Sequence, residues 1–408
     1  MVPTSDGDTS VRESKGCIGI LTGGGDVPGL NPAIRALTIR AKQEGYKVIG
    51  IRSGWAGLVN MVRDPDADNS EHYQTLDYDI VHRTARSGGT MLFTSRTRPS
   101  HLPKGSVPAH LADKFTDDTN DVTTEVLQNL EFLGIDTLIP IGGDDTLTYA
   151  DRLHREGVKV VAIPKTMDND VAGTDYCIGF STAVTRTIEL AEALTTTAGS
   201  HQRFLVLEVF GRYSGYTALL PAMAGAANRC VIPEHPFDID HLVELLARDR
   251  SRNPDRYAVV LVSEGATMLG SQMSFESEER DQYGHRKLGG IGDRVAEALK
   301  TRSSEYADGR SINVVSQRLG YMVRCGHPDA LDSIVPMAFG NLAFDLIESG
   351  IAGRLVSVRN GVYDSVPIDV VTGRRKTVDV HRYYNEERLR PKYKTFVRHP
   401  LFIMTSDV

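Results

Sequence analysis

Residues 136–163 read DTLIPIGGDDTLTYADRLHREGVKVVAI, and this stretch contains the unit from which the fold is built. The run DTLIPI predicts a buried strand, LTYADRLHREG has the spacing of an amphipathic helix, and VKVVAI predicts a second buried strand. A strand, a glycine-rich turn, a helix and a strand in this order predict a βαβ unit with parallel strands. The turn carries two adjacent aspartates, Asp144 and Asp145, which the turn itself does not require.

Two further stretches repeat this order. Residues 17–51 run from CIGIL through TGGGDVPG to YKVIGI, and residues 204–232 run from FLVLEV through FGRYSG to RCVI, with a further strand, YAVVLV, at 257–262. Continuous apolar strands are typical of a parallel sheet that is covered on both faces. Because such sheets bind ligands at the carboxyl ends of their strands, the three glycine-rich turns are predicted to converge on one cleft of an α/β protein.

The composition is that of a globular protein large enough for two domains, with 408 residues, 40% hydrophobic and 24% charged. A net charge of -7 gives no general attraction to polyanions, so we predict no nucleic-acid partner. No apolar run approaches the roughly 18 to 20 residues of a membrane helix, and the polar start lacks the apolar core of a signal peptide. We therefore predict a cytoplasmic protein without a membrane partner.

Widely spaced cysteines predict reduced thiols in the core: Cys17, Cys177, Cys230 and Cys325.

Two turns contain groups that suit phosphate chemistry. The glycines of TGGGDVPGLN let backbone N–H groups approach an anion at the start of a helix, although a simple tight turn explains them equally well. IPKTMDND, residues 163–170, brings together a lysine, a threonine hydroxyl and two carboxylates directly after a strand. Such groups can supply a base, an orienting carboxylate and a cation for phosphoryl transfer, whereas a capped turn with solvated charges is the alternative.

The third unit adds charged residues beside its strand. Arg203 and Arg212 bracket FLVLEV, and their guanidinium groups match phosphate geometry. Glu264 ends the following strand, where it could accept hydrogen bonds from sugar hydroxyls or cap the turn. The two arginines at the ends of one strand, beside the other loops, predict phosphate binding.

The motifs TGGGDVPGLN, GGDDT, PKTMDND, SHQR, GRYSGY and LGYMVRCGHPDALD, in this order, resemble the 6-phosphofructokinase family over nearly all of the chain. The resemblance implies Mg²⁺-assisted phosphoryl transfer to the 1-hydroxyl of fructose 6-phosphate by a homodimer or homotetramer. It implies two three-layer α/β/α domains with mainly parallel sheets and the active site in the cleft between them. Residues 16–179 with 323–373 would form the phosphoryl-donor domain and residues 180–322 with 374–408 the sugar-phosphate domain, after a disordered leader at 1–15.

The resemblance also implies a role for each matching residue. Asp168 would act as the general base, Thr166 and Asp170 would orient the reacting groups, and Arg212 would stabilise the transition state. The implied donor-binding residues are Gly24, Gly25, Arg96, Asp145 and Lys165. Asp144 would hold Mg²⁺. The implied sugar-phosphate residues are Arg203, Phe210, Gly211, Glu264, Tyr321 and Arg324.

Asp145 and Lys165 predict the phosphoryl donor. Family members that use ATP resemble one another in carrying glycine at both positions, whereas members that use pyrophosphate carry the aspartate and the lysine. A carboxylate at position 145 would occupy the space of the α-phosphate, and like charges about 4 Å apart repel by roughly 4 kcal/mol at an effective dielectric near 20. We therefore predict a reversible, pyrophosphate-dependent phosphofructokinase.

Three other functions compete with this prediction. An ATP-dependent phosphofructokinase could tolerate Asp145 through a shifted loop. NAD and lipid kinases share a Gly-Gly-Asp-Gly-Thr turn but lack the other motifs. A silent regulatory subunit would have lost the base or the arginines, yet Asp168, Arg203 and Arg212 are present.

Two further positions and the acceptor sugar each have more than one interpretation. Trp55 matches a place where ATP-using relatives have an aromatic ring near the nucleotide, or it is a packed loop anchor. Val315 stands where an arginine from a neighbouring subunit is expected, so that Arg318 or Arg324 would have to compensate. Sedoheptulose 7-phosphate differs from fructose 6-phosphate by one carbon and stays open as an alternative acceptor.

Overall fold

The computed structural model describes residues 14–280, 286–307 and 309–394. The predicted leader, except for its last two residues, and the final part of the predicted sugar-phosphate domain lie outside the described residues. The strands are β1 (Cys17–Thr22), β2 (Lys47–Ile51), β3 (Tyr73–Thr75), β4 (Leu102–Pro103), β5 (Thr119–Asn120), β6 (Thr137–Gly142), β7 (Lys159–Pro164), β8 (Phe204–Val209), β9 (Arg229–Val231), β10 (Ala258–Ser263), β11 (Phe275–Arg280), β12 (Arg286–Leu288), β13 (Val314–Arg318), β14 (Arg354–Arg359), β15 (Val362–Pro367), β16 (Tyr384–Asn385) and β17 (Arg390–Pro391).

The helices connect these strands and cover the two larger sheets. They are α1 (Leu30–Gln43), α2 (Trp55–Asn60), α3 (Tyr78–His82), α4 (Thr123–Phe132), α5 (Asp144–Arg155), α6 (Phe180–Ser200), α7 (Tyr216–Met223), α8 (Ile239–Arg252), α9 (Ile291–Arg302), α10 (Leu331–Glu348) and α11 (Val380–Tyr383). Each strand predicted from an apolar run is present to within a single residue at either end.

The larger sheet has seven strands in the order β15-β14-β7-β6-β1-β2-β3. Its five central strands are parallel, and the edge strands β15 and β3 are antiparallel to their neighbours. Successive side chains of a strand face opposite sides, so Ile139 packs in one core with Phe339 of α10, while Leu138 packs in another with Leu147 of α5. Burial on both faces explains why these strands read as continuous apolar runs.

The smaller sheet has four parallel strands in the order β13-β8-β10-β9. The third predicted unit is therefore wound differently from the other two, because β10 lies between the strands that α7 connects. Two mainly parallel sheets with helices between their strands confirm the predicted α/β fold. The predicted domain boundaries stay a prediction.

One side chain fastens α10 to the start of α6. The buried carboxylate of Asp332 accepts hydrogen bonds from the backbone N–H groups of Gly179 and Thr182, from the Thr182 hydroxyl and from the Tyr176 hydroxyl, at 2.6 to 2.8 Å. The first N–H groups of a helix have no partner within it, so a carboxylate from another element suits this place. Asp332 thus links the segment after β7 to the helix that leads into the smaller sheet.

Within residues 266–288, β11 and β12 form an antiparallel pair of strands. The prediction for one cysteine differs from the structure. Cys325 is exposed, whereas the other three cysteines are buried as predicted. No helix within the described ranges is long and apolar enough to cross a bilayer.

Candidate active site

A cleft of about 1120 Å³ opens where the carboxyl ends of strands from both sheets meet. The turns after β1, β6, β7, β8 and β10 contribute to its wall, together with the segment after β13. The cleft is lined by most of the residues singled out from the sequence, namely Gly24, Gly25, Arg96, Asp144, Asp145, Lys165, Thr166, Asp168, Asp170, Phe210, Arg212, Glu264, Tyr321 and Arg324. Gly211 and Arg203 are not among the lining residues.

The turn after β7 holds two carboxylates on either side of a buried asparagine. Asn169 adopts a left-handed conformation with φ 53°, and its side chain bonds the carbonyl of Asp175 and the N–H of Cys177 at 3.0 and 2.8 Å. Asparagine tolerates this conformation better than most residues. The buried amide therefore fixes the backbone between Asp168 and Asp170.

Asp168 has the environment of a general base. Burial raises its pKa well above the usual value, and the nearby carboxylates of Asp170 and Glu264 add to the rise. The backbone N–H of Arg212 donates to Asp168 Oδ2 at 3.4 Å, and the Asp168 N–H donates to Thr166 Oγ1 at 3.2 Å. A carboxylate with a raised pKa is a stronger base and suits proton transfer near neutral pH.

Glu264 follows β10 of the smaller sheet, across the cleft from the turn that carries Asp168. It lies near a second buried acid, Glu208. Burial raises the pKa of Glu264 to about 7, opposed by Arg212 and increased by Glu208. Glu208 is buried in β8, accepts from Gly292 N at 2.8 Å and lies 3.4 Å from the Nε of Arg318. Glu208 was not among the predicted site residues, although a charge inside the apolar run FLVLEV was a visible signal.

The glycine-rich turn after β1 lies directly beneath cationic side chains. A Cβ atom at Gly24 would stand 3.1 Å from Lys165 Nζ, and one at Gly25 would stand 2.9 Å from Arg324 Nη1. The pKa of buried Lys165 is lowered to about 8, chiefly by burial and then by the positive charges of Arg324 and Arg96. Cations kept this close together favour a ligand with several negative charges.

The two adjacent aspartates at the start of α5 have different arginine partners. Asp144 Oδ2 accepts from Arg375 Nε at 2.9 Å, and Asp145 Oδ2 accepts from Arg98 Nη2 at 2.8 Å. Burial, with the charge of Asp170, raises the pKa of Asp144 to about 6, and Arg375 opposes this rise. Neither arginine was predicted, because Arg375 lies in a segment without a motif, and Arg98, although close to the predicted Arg96, is 47 residues from Asp145.

Asp144 fits the predicted role of a magnesium ligand. The Oδ1 atom of its carboxylate is buried and has no hydrogen-bond partner among the described residues. Those residues contain no cluster of three or more His, Cys, Asp or Glu side chains that could hold a metal. One or two carboxylates suffice for Mg²⁺, which takes its remaining ligands from water and from phosphates of the substrate.

Arg203 lies at the wrong end of its strand to serve this cleft, which corrects the prediction for a site within one chain. It precedes β8, whereas the cleft lies beyond the carboxyl end of that six-residue strand. Six residues of extended chain span roughly 20 Å. Arg203 Nε is buried without a hydrogen-bond partner among the described residues.

Several other sequence-derived residues have roles that the motifs did not reveal. Arg324 pairs with Asp26 of the donor turn at 3.1 Å and stacks 4.5 Å from the exposed ring of Tyr321. Arg324 therefore lies against the donor side of the cleft. Gly211, with φ 118°, has no room for a side chain, since a Cβ atom would meet the Ser214 carbonyl at 2.7 Å. Its contribution is to the turn that carries Arg212.

Trp55 and Val315 are both kept away from the cleft. Trp55 is 2% exposed and packs edge-on against Tyr149 with ring centres 4.8 Å apart, as expected of a loop anchor. Val315 pairs with Leu205 within the smaller sheet, whereas Arg318 at the end of the same strand lines the cleft.

Comparison with known proteins assigns this arrangement to a family. Residues 17–347 match the model of the family described as Phosphofructokinase. The chain is 38% identical to the ATP-dependent 6-phosphofructokinase 3 of Streptomyces coelicolor and 37% identical to the pyrophosphate--fructose 6-phosphate 1-phosphotransferase of Amycolatopsis methanolica. Each match covers 91% of this chain and 98% of the relative. The chain belongs to the phosphofructokinase family.

A solved phosphofructokinase from Saccharomyces cerevisiae has the same fold, with a TM-score of 0.69 at 24% identity. The match covers 87% of this chain and 44% of the yeast chain, so this protein spans less than half of that relative. The curated relatives carry the names of both ATP-dependent and pyrophosphate-dependent enzymes. The family is therefore established, and the donor is a separate question.

Proposed function

We propose that this phosphofructokinase takes pyrophosphate as its phosphoryl donor and phosphorylates the 1-hydroxyl of fructose 6-phosphate reversibly. The observation that carries the proposal is the presence of Asp145 and Lys165 together in the wall of the cleft. Lys165 lies against the glycine-rich turn, where its charge can bind a short polyanion. Asp145 lies in the first turn of α5, where a longer donor would have to pass.

The ion pair between Arg98 and Asp145 changes the physical basis of donor selection. The Asp145 side chain is 62% exposed and already has a cation at 2.8 Å. Solvent and the arginine both weaken the repulsion that a bare carboxylate would exert on an α-phosphate. Selection against ATP therefore rests more on the space that the paired side chains occupy than on charge alone.

The burial of Trp55 agrees with a donor that has no base. A nucleotide-binding site commonly stacks an aromatic ring on the base, but Trp55 is packed against Tyr149 instead. The single tryptophan of the chain is therefore not available for that purpose.

The proposed reaction is an in-line transfer between the two walls of the cleft. Asp168 accepts the proton of the sugar 1-hydroxyl. The hydroxyl oxygen of the sugar forms a bond to the terminal phosphorus of pyrophosphate, while the bridging P–O bond breaks and phosphate is released. Arg212 stabilises the charge on the transferring group. Asp144 would hold Mg²⁺, which, when bound, neutralises charge on the donor. In the reverse direction Asp168 returns the proton.

Supplying pyrophosphate and ATP in parallel tests the donor. Formation of fructose 1,6-bisphosphate is measured with fructose 6-phosphate and Mg²⁺, and we expect activity with pyrophosphate alone. Asp145→Gly with Lys165→Gly should weaken the use of pyrophosphate and admit some ATP. An unchanged donor preference in this variant would show that these residues do not select the donor.

ATP as donor is the second candidate, and the Arg98 ion pair is the observation that favours it. An arginine that compensates Asp145 lowers the electrostatic barrier to a nucleotide. Activity with ATP alone would establish this candidate and keep Asp168 as the base.

The acceptor is tested by replacing fructose 6-phosphate with sedoheptulose 7-phosphate. The homo-oligomeric state and the cytoplasmic location also stay proposals.

A further inference from the structure

The short segment Arg374–Lys376 is bonded to the turn that carries the predicted base. Arg375 forms an isolated antiparallel bridge with Val171, and the backbone N–H of Lys376 donates to the carbonyl of Asp170 at 2.9 Å. The buried side chain of Lys376 reaches the carbonyl of Thr174 at 2.7 Å. The backbone of Arg375 is thus fixed on both sides.

From this fixed backbone the guanidinium of Arg375 contacts segments that follow a strand of each sheet. Its Nε donates to Asp144 Oδ2, at the start of α5 on the larger sheet. The guanidinium also lies 4.0 Å from the centre of the Tyr213 ring, in the loop after β8 of the smaller sheet. Cations within about 6 Å of an aromatic ring are attracted to its face. Arg375 therefore joins the Asp144 carboxylate to the loop that carries Arg212.

We propose that Arg375 is a positioning residue for the metal site of this enzyme. The Nε of Arg375 donates a hydrogen bond to Oδ2 of Asp144, which holds the carboxylate in one orientation. The other oxygen, Oδ1, is buried without a hydrogen-bond partner among the described residues and is left for a cation. Ligating carboxylates are commonly held by such outer hydrogen bonds, and loss of the outer partner typically weakens metal affinity or activity by roughly 10- to 100-fold. The inference rests on the proposed magnesium role of Asp144.

The shape of the side chain matters as much as its charge. An arginine presents a planar group that can donate to Asp144 and stack on Tyr213 at the same time, whereas a lysine ammonium is a point charge on a flexible stem. Arg375→Lys should therefore keep the charge and lose the orientation. Arg375→Gln removes both.

Binding of Mn²⁺, used as a spectroscopic substitute for Mg²⁺, measures the metal site directly. Electron paramagnetic resonance would be recorded with the full-length protein, with pyrophosphate and in parallel with ATP. The variants are Arg375→Gln, Arg375→Lys, Asp144→Asn and the double variant Arg375→Gln with Asp144→Asn. Arg374→Gln is the matched control, because Arg374 is the neighbouring arginine on the same segment and is exposed, as Arg375 is. Thermal unfolding verifies that each variant is folded.

We expect both Arg375 variants to weaken Mn²⁺ binding by roughly 10- to 100-fold, while the control leaves it unchanged. The double variant should bind no more weakly than Asp144→Asn alone, because Arg375 acts through that carboxylate. The KM for fructose 6-phosphate should be unchanged, while the Mg²⁺ concentration needed for activity rises.

Two results would overturn the inference while the function stands. Tighter Mn²⁺ binding by Arg375→Gln would mean that the arginine competes with the cation for Asp144. Unchanged binding would mean that the ion pair only fastens the segment to the body. If Asp144→Asn itself leaves Mn²⁺ binding unaltered, the proposed metal role of Asp144 fails, and the inference fails with it.

Discussion

At the scale of single residues, burial in the cleft disfavours the charged form of its ionisable side chains, both carboxylates and a lysine. Burial raises the pKa of Asp168 and lowers that of Lys165, and each shift is typical of a functional site. We predict that Asp168→Asn leaves fructose 6-phosphate binding nearly intact and lowers kcat by orders of magnitude. Calorimetric titration of the sugar and steady-state kinetics measure the two quantities, and near-normal turnover would refute the base assignment.

The pH dependence of the forward reaction should reflect the pKa of Asp168, which the charge of Asp170 raises. Because the base acts deprotonated and its pKa is raised, kcat/KM falls as the pH drops, and it does so above the usual range for an aspartate. Asp170→Asn removes a like charge from Asp168, so the pKa of the base falls and the acidic limb moves to lower pH.

The control for this shift is Asp345→Asn, which makes the same change of charge at an exposed ion pair on α10. Its pH profile should coincide with that of the wild type. An acidic limb that stays in place in Asp170→Asn would show that another group controls it.

At the scale of elements, the structure depends on helix starts that are satisfied from elsewhere in the chain. Asp332 on α10 serves the first N–H groups of α6, so Asp332→Ala would leave buried donors without partners. Unsatisfied buried groups cost about 1 to 3 kcal/mol each, and we expect a loss of at least that size in the free energy of unfolding. Denaturant titration measures it.

The matched control is Asp345→Ala on the same helix, whose carboxylate is exposed and paired with Arg40 at 3.1 Å. Exposed ion pairs contribute about 0 to 1 kcal/mol. Equal losses for the two variants would argue against the capping role of Asp332.

At the scale of the whole molecule, Arg203 and the cleft lie at opposite ends of the smaller sheet, so Arg203 can serve a cleft only in another copy of the chain. We predict that Asp168→Asn and Arg203→Ala are each inactive, and that refolding them together restores activity. In a twofold dimer, one cleft of each mixed dimer would hold both residues, which gives roughly a quarter of the wild-type rate. Product formation by the mixture measures this recovery.

The two variants refolded separately and then combined without exchange of subunits are the control. No recovery in the refolded mixture would mean that Arg203 acts within its own chain or has no part in the reaction. This result would leave the donor and metal proposals untouched, since those concern residues that line the cleft of one chain.

Local structure and family membership follow from the order of the residues alone. Apolar runs such as CIGIL and FLVLEV predicted their strands to within a residue, because burial on both faces of a sheet leaves a pattern in each strand's own composition. The motifs likewise predicted that residues such as Gly25 and Asp168 meet in one cleft, because turns after parallel strands share one edge of a sheet.

Which groups face one another depends on how the elements pack in three dimensions. Arg98 and Asp145 are 47 residues apart, and Arg375 and Asp144 are 231 apart, so no local pattern links them. The same holds for Arg203, whose motif suggested phosphate binding but which lies before β8, at the end of the strand that faces away from the cleft. The side chain of a residue determines its chemistry, whereas its partner depends on how distant segments pack. The arginine partners of Asp144 and Asp145 follow from that packing.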